Sequence, residues 1–424
     1  MNKELVTEII SVGTEILLGH ITNTDARDIS EMLSKIGVNV KYHTVVGDNP
    51  ERLCACVEIA KSRADVIITT GGLGPTVDDL TKQVLAEAFG LPLVRNEAED
   101  RGLYEYINIG GRGLTPNTYQ QALLPAGCTV FHNTCGTAPG CGFEKDGKIV
   151  VMLPGPPKEC NAMFALSAIP YLKRLSDEQI VSHALNIFGL GESAVDDIFA
   201  DEMKTMTNPT MAPYAKECDC LLQITAKAAS EAEAEAMIAP VRAHVREVLG
   251  SLVYGEDVET LEQAAMQLFQ KTGMTFSAAE SCTGGEIAKR FTDLPGASAY
   301  VLGGAVTYTN AVKTKLLGVD PRLIEEKTAV CEEVARAMAE GIRRVIGSDM
   351  GVGVTGLAGP DGDGVHEVGT VFIALAVEGQ TFVRETHMGA RRTRSFIRRM
   401  AGNHAFDMMR RYMSGLPMEL EIKA

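Results

Sequence analysis

The chain has 424 residues, 45% hydrophobic and 22% charged, with 40 Lys and Arg against 55 Asp and Glu for a formal charge of −15. That length exceeds what one hydrophobic core usually supports, so an ordinary globular composition of this size implies two or three domains. The acidic balance repels phosphate at long range and argues against nonspecific binding to nucleic acid or anionic membrane, but a phosphate-bearing small molecule is still recognisable by local arginines and backbone N–H groups.

The opening MNKELVTEIISVG carries Glu4 and Glu8 inside its apolar stretch, unlike a signal peptide, and no run approaches the ~18 apolar residues of a membrane span. A cytoplasmic protein with no membrane partner is expected. Ten cysteines in so long a chain make no disulfide scaffold, and the C-x-C pairs Cys54/Cys56 and Cys218/Cys220 lack the spacing of a zinc site, so reduced, half-buried thiols are expected. The eight histidines are scattered singly.

From 1 to about 170, apolar runs alternate with helical patterns: EIISVG then DARDISEMLSKIG, VKYHTVV then ERLCACVEIAKS, DVIITT then DDLTKQVLAEAFG. This is the α/β pattern of βαβ units on a largely parallel sheet. From 171 to 256, LLQITAKA reads as a strand. SEAEAEAMIAPVRAHVREVLG reads as an amphipathic helix with Ile238, Val241, Val245, Val248 and Leu249 on one face, in a small α+β segment. From 257 to 424 the alternation resumes: helix LEQAAMQLFQKTG, strands TFSAAE, YVLGGAVTY and DMGVGVTG, a hairpin turning at Glu378-Gly379, and an arginine-rich closing helix.

Chemistry gathers at two places. DVIITT runs into GGLGPTVDDLTK, a strand ending in glycines that open a helix, which aims backbone N–H groups and a helix dipole at one anion. Asp78 and Asp79 are expected in the first helical turn, either as simple dipole partners or as holders of a divalent metal beside a diphosphate. NTCGTAPGCG and LPGPPKE also follow strand-like runs, so the three loops either merely end strands or meet at one sheet edge as a ligand site. Further on, AESCTGG places two nucleophiles, Ser281 and Cys282, between a strand and a helix. A nucleophile at such a turn is exposed, and the N–H groups of Thr283 to Gly285 are placed to receive an oxyanion. Lys313, in YTNAVK, is a base for a serine if desolvated. The plain alternatives are a helix cap at Ser281 and a solvated charge at Lys313.

SVGTEILLG, TTGGLGPTVDDLTK, GTAPG and LPGPPKE resemble the N-terminal half of the CinA family (competence/damage-inducible protein A). AESCTGG, GGAVTYTNAVK and GVTGLAGPDG resemble its C-terminal half, so the resemblance spans essentially the whole chain. It implies a molybdopterin-binding-like three-layer α/β domain (1–170), a connecting domain (171–256) and a C-terminal α/β nicotinamide mononucleotide deamidase domain (257–424). In some members the N-terminal part is a metal-dependent ADP-ribose pyrophosphatase, and members form homodimers.

Carried onto this chain, the resemblance places catalysis on Ser281 and Lys313, with Tyr308, Thr355 and Arg394 assisting and Arg391 the rival arginine. Cys282 is the better intrinsic nucleophile, but the family assigns attack to the serine. Glu280, Thr283, Gly284, Gly285, Ser298, Asn310 and Gly356 are the expected substrate contacts, with no cofactor. Gly13, Thr14, Glu15, Gly71, Gly72, Gly74, Thr76, Asp78, Asp79 and Lys216 are expected at the N-terminal nucleotide site, with Asp79 toward a divalent metal such as Mg. Two departures fall on that side: Asp25 stands where Asn is usual, and Gln223, after an unusual Cys-Asp-Cys, where Arg is usual. The competing classes are a pterin- or nucleotide-binding module without turnover and a scaffold in DNA uptake or recombination.

Overall fold

The structure, a computed structural model, describes residues 5–34, 36–109, 116–173 and 179–420. The chain divides into two compact units, Met1–Val181 with Ala226–Ala236, and Ser182–Thr225 with Met237–Ala424. Residues 182–225 and 237–256 of the segment expected as a connecting domain group with the C-terminal part by their contacts. The reason is hydrophobic: Phe188, Tyr254 and Val258 are buried in the same cluster as Phe269, Phe276, Phe291 and Phe406.

In the first unit, β1 (Val6–Val12), β2 (Asn39–Val46), β3 (Val66–Thr70), β6 (Thr129–Phe131), β7 (Gly140–Lys145) and β8 (Lys148–Leu153) form one sheet in the order β2-β1-β3-β8-β7-β6. The strands β4 (Leu93–Arg95) and β5 (Leu123–Pro125) make a separate antiparallel ribbon. Neighbours β2, β1, β3 and β8 run parallel, and β7 is antiparallel to both β8 and β6. Alternation along the strands splits the core into two layers. Ile10, Ile67, Val150 and Met152 pack with Leu53, Val57 and Leu85, whereas Ile9, Ile68, Val151 and Leu153 pack with Ile29, Leu33 and Met163 on the other face. A sheet buried on both faces by helices is the expected three-layer α/β arrangement. Glu8, conspicuous in the apolar β1 run, is fully buried and accepts two hydrogen bonds from Arg63 (2.8 and 2.7 Å) and one from Thr44 (2.6 Å).

Asp25 sits near the start of the Thr24–Ser34 helix, 8% exposed, with Oδ1 unpartnered. Burial, reinforced by Asp28, pushes its carboxyl up to about 6. A carboxylate whose folded pKa is raised destabilises the fold once ionised, so the penalty is absent below the unfolded value near 3.8 and complete above about 6. Asp25→Asn is therefore expected to raise stability at pH 7 by up to about 3 kcal/mol and to leave it unchanged at pH 3.5, as read by denaturant unfolding at both pH values.

The strands β9 (Gln179–Ile187), β10 (Thr210–Ala215), β11 (Cys220–Ala228) and β12 (Val253–Glu256), which fall largely in the second unit, form a sheet in the order β10-β11-β9-β12. The helix Glu231–Leu249 follows β11 and buries Ile238, Val245 and Leu249, with Val241 and Val248 half-buried, so the apolar face read from the sequence is the packed one. The last sheet contains β13 (Phe276–Glu280), β14 (Val301–Val306), β15 (Met350–Gly356), β16 (Thr370–Val377) and β17 (Gln380–His387) in the order β14-β13-β15-β16-β17. The first three are parallel, and β16 and β17 are added antiparallel through the Glu378-Gly379 turn. The closing helix Arg394–Met413 uses its arginines in two ways. Arg410 and Arg411 are buried around Asp407, whose carboxylate they and Arg384 hold below its ordinary range in spite of burial. Arg394 and Arg398 lie near the start of the helix, toward the loops that follow β13 and β14.

Candidate active site

Parallel β13 and β14 deliver their C-terminal ends to the same edge, and that brings Ser281 and Lys313 together. Ser281 follows β13 directly, and its N–H donates to Val354 O at 3.0 Å, pinning the residue against β15. After β14, Thr307 N–H donates to Glu280 O, and the chain then turns through Asn310–Val312 to bring Lys313 back. Lys313 Nζ lies 3.1 Å from Ser281 Oγ, 3.0 Å from Thr307 O and 3.4 Å from Tyr308 O. Lys313 is 1% exposed with no carboxylate paired to it among the described residues, and burial lowers its pKa. A neutral amine satisfies this arrangement, with two N–H bonds to the carbonyls and its lone pair toward the serine hydroxyl.

Ser281 is more enclosed than a strand-to-helix turn suggests, at 9% exposure. Cys282 is deeper, and burial, with Glu280 nearby, pushes its thiol up to about 12, so it stays protonated at neutral pH. The expected oxyanion donors need correction. Gly284 N–H donates to Ser281 O, and Gly285 N–H donates to Glu280 Oε2 at 3.0 Å. Glu280 also accepts from Ile287 (3.1 Å) and Ala288 (3.0 Å), so this 1% exposed carboxylate ties down the start of the Glu286–Thr292 helix and does not face a substrate. The donors left in the loop are the N–H groups of Cys282 and Thr283, which lie against the Cys282 sulfur. Positive φ at Gly284 (+62°) and Gly285 (+95°) makes the tight turn.

Arg394, at the first turn of its helix, donates to Tyr308 OH at 3.0 Å and to Gly359 O at 2.5 Å, both side chains being exposed at the rim. It thus joins the site through Tyr308, whereas Arg391 precedes the helix. Arg398, absent from the sequence expectations, donates twice to Thr283 O (3.1 and 2.7 Å) and holds the loop in place. Its position four residues after Arg394, on the same helix face, was the signal that could have found it.

Three further expected residues have other surroundings within this chain. Thr355 Oγ1 donates to Ala329 O at 2.7 Å and is buried, anchoring the neighbouring segment. Gly356 packs against Thr370 and Val371, where a Cβ would clash. Ser298 precedes β14, whose start pairs with Phe276, whereas Ser281 lies past the far end of β13, about 16 Å along the strand direction. Asn310 is exposed three residues before Lys313. A separate groove of about 940 Å³, lined among others by Phe188, Phe396, Met400 and His404, shares no residue with the Ser281–Lys313 pair.

In the first unit the expected loops do converge. Parallel β1, β3 and β8 end side by side, and Gly71 approaches Val12 and Gly155 so closely that a Cβ would lie 2.2 Å from Val12 O. Gly13, Thr14 and Glu15 follow β1, with Thr14 bonded to Asp48 at 2.9 and 3.1 Å. Asn133, after β6, donates to Glu159 at 2.7 Å and so joins the GTAPG and LPGPPKE loops. The acids need correction: the helix begins at Thr81, so Asp78 and Asp79 precede it. Asp79 Oδ2 accepts from Thr76 N–H (2.8 Å) and Thr76 Oγ1 (2.6 Å), with Gly74 giving room for the carboxylate, so Asp79 closes the loop on itself. Gly72 (φ +68°) packs against Thr81. Lys216 belongs to the second unit, where Nζ bonds Asp219, Asn186, Tyr254 and Glu259 O, so its charge is committed to those groups.

An α/β unit with converging glycine loops, followed by a second α/β unit carrying a buried serine–lysine pair, defines a two-part protein with small-molecule sites. Residues 8–174 match the family model "Probable molybdopterin binding domain", residues 182–255 the damage-inducible protein CinA KH domain, and residues 258–413 the CinA C-terminal domain. A competence-damage inducible protein of Caldanaerobacter subterraneus subsp. tengcongensis is 46% identical over 409 residues, covering 96% of this chain and 98% of its own. A CinA-like protein of Dictyoglomus turgidum is 44% identical, covering 96% and 99%. A solved CinA of Thermoplasma acidophilum is 33% identical over 40% of this chain and 99% of its own, with a TM-score of 0.37. The chain belongs to the CinA family. Among the described residues, no helix is long and apolar enough to cross a membrane.

Proposed function

We propose that the second unit is an amidohydrolase that converts nicotinamide mononucleotide and water to nicotinic acid mononucleotide and ammonia. The observation that carries this reading is the buried Lys313 Nζ 3.1 Å from Ser281 Oγ, with its pKa lowered by burial. Ser281 Oγ attacks the carboxamide carbon while neutral Lys313 takes the hydroxyl proton. Attack gives a tetrahedral oxyanion on the former carboxamide oxygen. Collapse breaks the C–N bond, and Lys313 returns its proton to the leaving nitrogen, releasing ammonia and an acyl-serine. Lys313 then takes a proton from water, the hydroxide cleaves the ester, and the proton goes back to Ser281. In this reading Tyr308 and the rim guanidinium of Arg394 meet the nucleotide, the guanidinium giving its phosphate the N–H groups not spent on Tyr308 and Gly359. Incubation with nicotinamide mononucleotide, quantifying ammonia and nicotinic acid mononucleotide, tests the reading. Equal molar release of both supports it, and release of neither at millimolar substrate removes it.

The convergence of the β1, β3, β6 and β8 loops supports a second reading for the first unit: a site for a nucleotide diphosphate such as ADP-ribose, bound or hydrolysed. A divalent ion is not caged here by protein alone. Asp79 has one oxygen committed to Thr76, and among the described residues the ligand-type side chains within reach of a single ion are His183, Glu256 and Asp257, in the other unit's sequence range and with Glu256 already paired to Arg242 and Arg246. What fits is one Asp79 oxygen contributing to an ion that the substrate's phosphates also hold, in the manner of magnesium. Asp79→Ala is expected to abolish metal-dependent phosphate chemistry on ADP-ribose while leaving ammonia release from nicotinamide mononucleotide within about twofold. Both products are assayed in the same preparation; loss of ammonia release as well would remove the independence of the two sites.

A further inference from the structure

Strands β6 and β7 bring two cysteines onto one face of the first unit's sheet. Val130 pairs with Cys141. By the alternation of side chains Cys128, two residues before Val130, lies on the same face and diagonal to Cys141. Both pack in the layer that holds Val84, Leu85 and Phe89, with Cys141 fully buried and Cys128 partly exposed. Cys128 stands just past the turn at Pro125–Gly127, where its N–H donates to Pro125 O at 3.2 Å. A Cβ added at Gly127 (φ +78°) would meet nothing within 4 Å, so the turn is open to a small reagent. It also has room to give as two sulfurs close from contact to bonding distance.

The two thiols are hydrogen-bonded to one another, with Cys141 donating and Cys128 accepting. That bond holds Cys128 below its ordinary range, and the same bond, together with burial, raises Cys141 well above it. Elsewhere burial pushes the thiols of Cys160, Cys218, Cys220 and Cys282 up, which leaves them inert. An accessible sulfur with thiolate character beside a second, enclosed sulfur is the arrangement of an attacking and a resolving cysteine.

We propose that Cys128 and Cys141 are a peroxide-sensitive dithiol that closes reversibly into a disulfide across the base of the β6–β7 hairpin. The Cys128 thiolate attacks one oxygen of hydrogen peroxide, the O–O bond breaks, and the departing hydroxide takes a proton to become water. Cys128 is left as a sulfenic acid. The Cys141 sulfur then attacks the Cys128 sulfur, the S–O bond breaks, and the departing hydroxide takes the Cys141 proton. Two thiols and one peroxide thus give one disulfide and two waters, and a reducing thiol reverses the bond by exchange. The inference rests on neither proposed activity. It places an oxidation site on the first unit's ligand loops, because residues 129–140, closed by the bond, carry Asn133 and GTAPG to the loop that holds Glu159.

Peptide mass spectrometry of the full chain tests this without reference to activity. The reduced protein is exposed to hydrogen peroxide, alkylated at intervals and digested with chymotrypsin, which separates Cys128 from Cys141 at Phe131. The expected product is a peptide pair linked through Cys128 and Cys141, with Cys135 alkylated. It should form at least about tenfold faster than the exposed Cys54 loses its alkylation, and disappear with dithiothreitol. In Cys141→Ala, Cys128 is expected to stop at the sulfenic acid and be trapped by dimedone. In Cys128→Ala, Cys141 is expected to remain a thiol. A bond from Cys128 to Cys135, oxidation no faster than at Cys54, or sulfinic acid on Cys128 of the unmodified chain without a linked peptide would each overturn the proposal. The linked peptide of the unmodified chain decides the matter even where circular dichroism shows that a variant fails to fold.

Discussion

Ser281→Ala is expected to lower ammonia release by at least about 10⁴-fold, whereas Cys282→Ala retains most of it. The two residues are neighbours in sequence but not in chemistry. Ser281 Oγ has a desolvated amine at 3.1 Å. The Cys282 thiol is enclosed, pushed up to about 12, and would have to lose its proton before it could attack. The cost of Cys282→Ala is packing, since a sulfur is removed from the buried cluster that also holds Ile287, and it should appear in melting temperature more than in turnover. Steady-state ammonia assays on both variants decide the matter; an inactive Cys282→Ala beside an active Ser281→Ala would reverse the assignment.

Lys313→Arg is expected to be as inactive as Lys313→Met, each down by about 10³-fold or more. Arginine keeps the charge but cannot release a proton near neutral pH, so it cannot accept one from the serine. The pH dependence follows from the direction of the shift. Burial lowers the Lys313 pKa from 10.5, and only the neutral amine is a base, so kcat/KM should rise with pH and level off at a midpoint below 10.5. Stability moves the same way: a depressed folded pKa means that the ammonium form disfavours the folded state, a penalty present below that pKa and gone above the unfolded value near 10.5. Lys313→Met removes this penalty and should melt no lower at pH 7 than the unmodified protein, separating loss of the base from loss of the fold. An arginine variant with near-normal turnover would show that only positive charge is needed at this position.

The strands were legible because their signals are local. DVIITT and KIVVML are continuous apolar runs, as parallel strands buried on both faces must be, and the Glu378-Gly379 turn follows from its glycine, at φ +73°. Ser281 and Lys313 were legible because a strand-to-helix turn and a strand-to-turn connection on adjacent parallel strands meet at one edge. What sequence could not supply was the destination of individual polar groups. Glu280 looks like a substrate contact until its two oxygens are found to hold three backbone N–H groups. Asp79 looks like a helix-start acid until the helix begins two residues later and its carboxylate turns back to Thr76. Lys216 follows a strand edge that no local pattern ties to Asp219 and Glu259, and Ser298 lies at the opposite end of β14 from the chemistry. Each of these depends on contacts between residues distant in sequence or on the last few degrees of a turn, which periodicity does not encode.

The central claim, that Ser281 forms a covalent bond with the substrate's carbonyl carbon, is tested most directly by acid-quenching the enzyme during turnover of nicotinamide mononucleotide and weighing the peptide that contains residues 279–285. The account predicts an ester adduct on Ser281, equal in mass to the nicotinoyl nucleotide acyl group, that is absent in Ser281→Ala. An adduct on Cys282, or full turnover with Ser281 replaced, would contradict it.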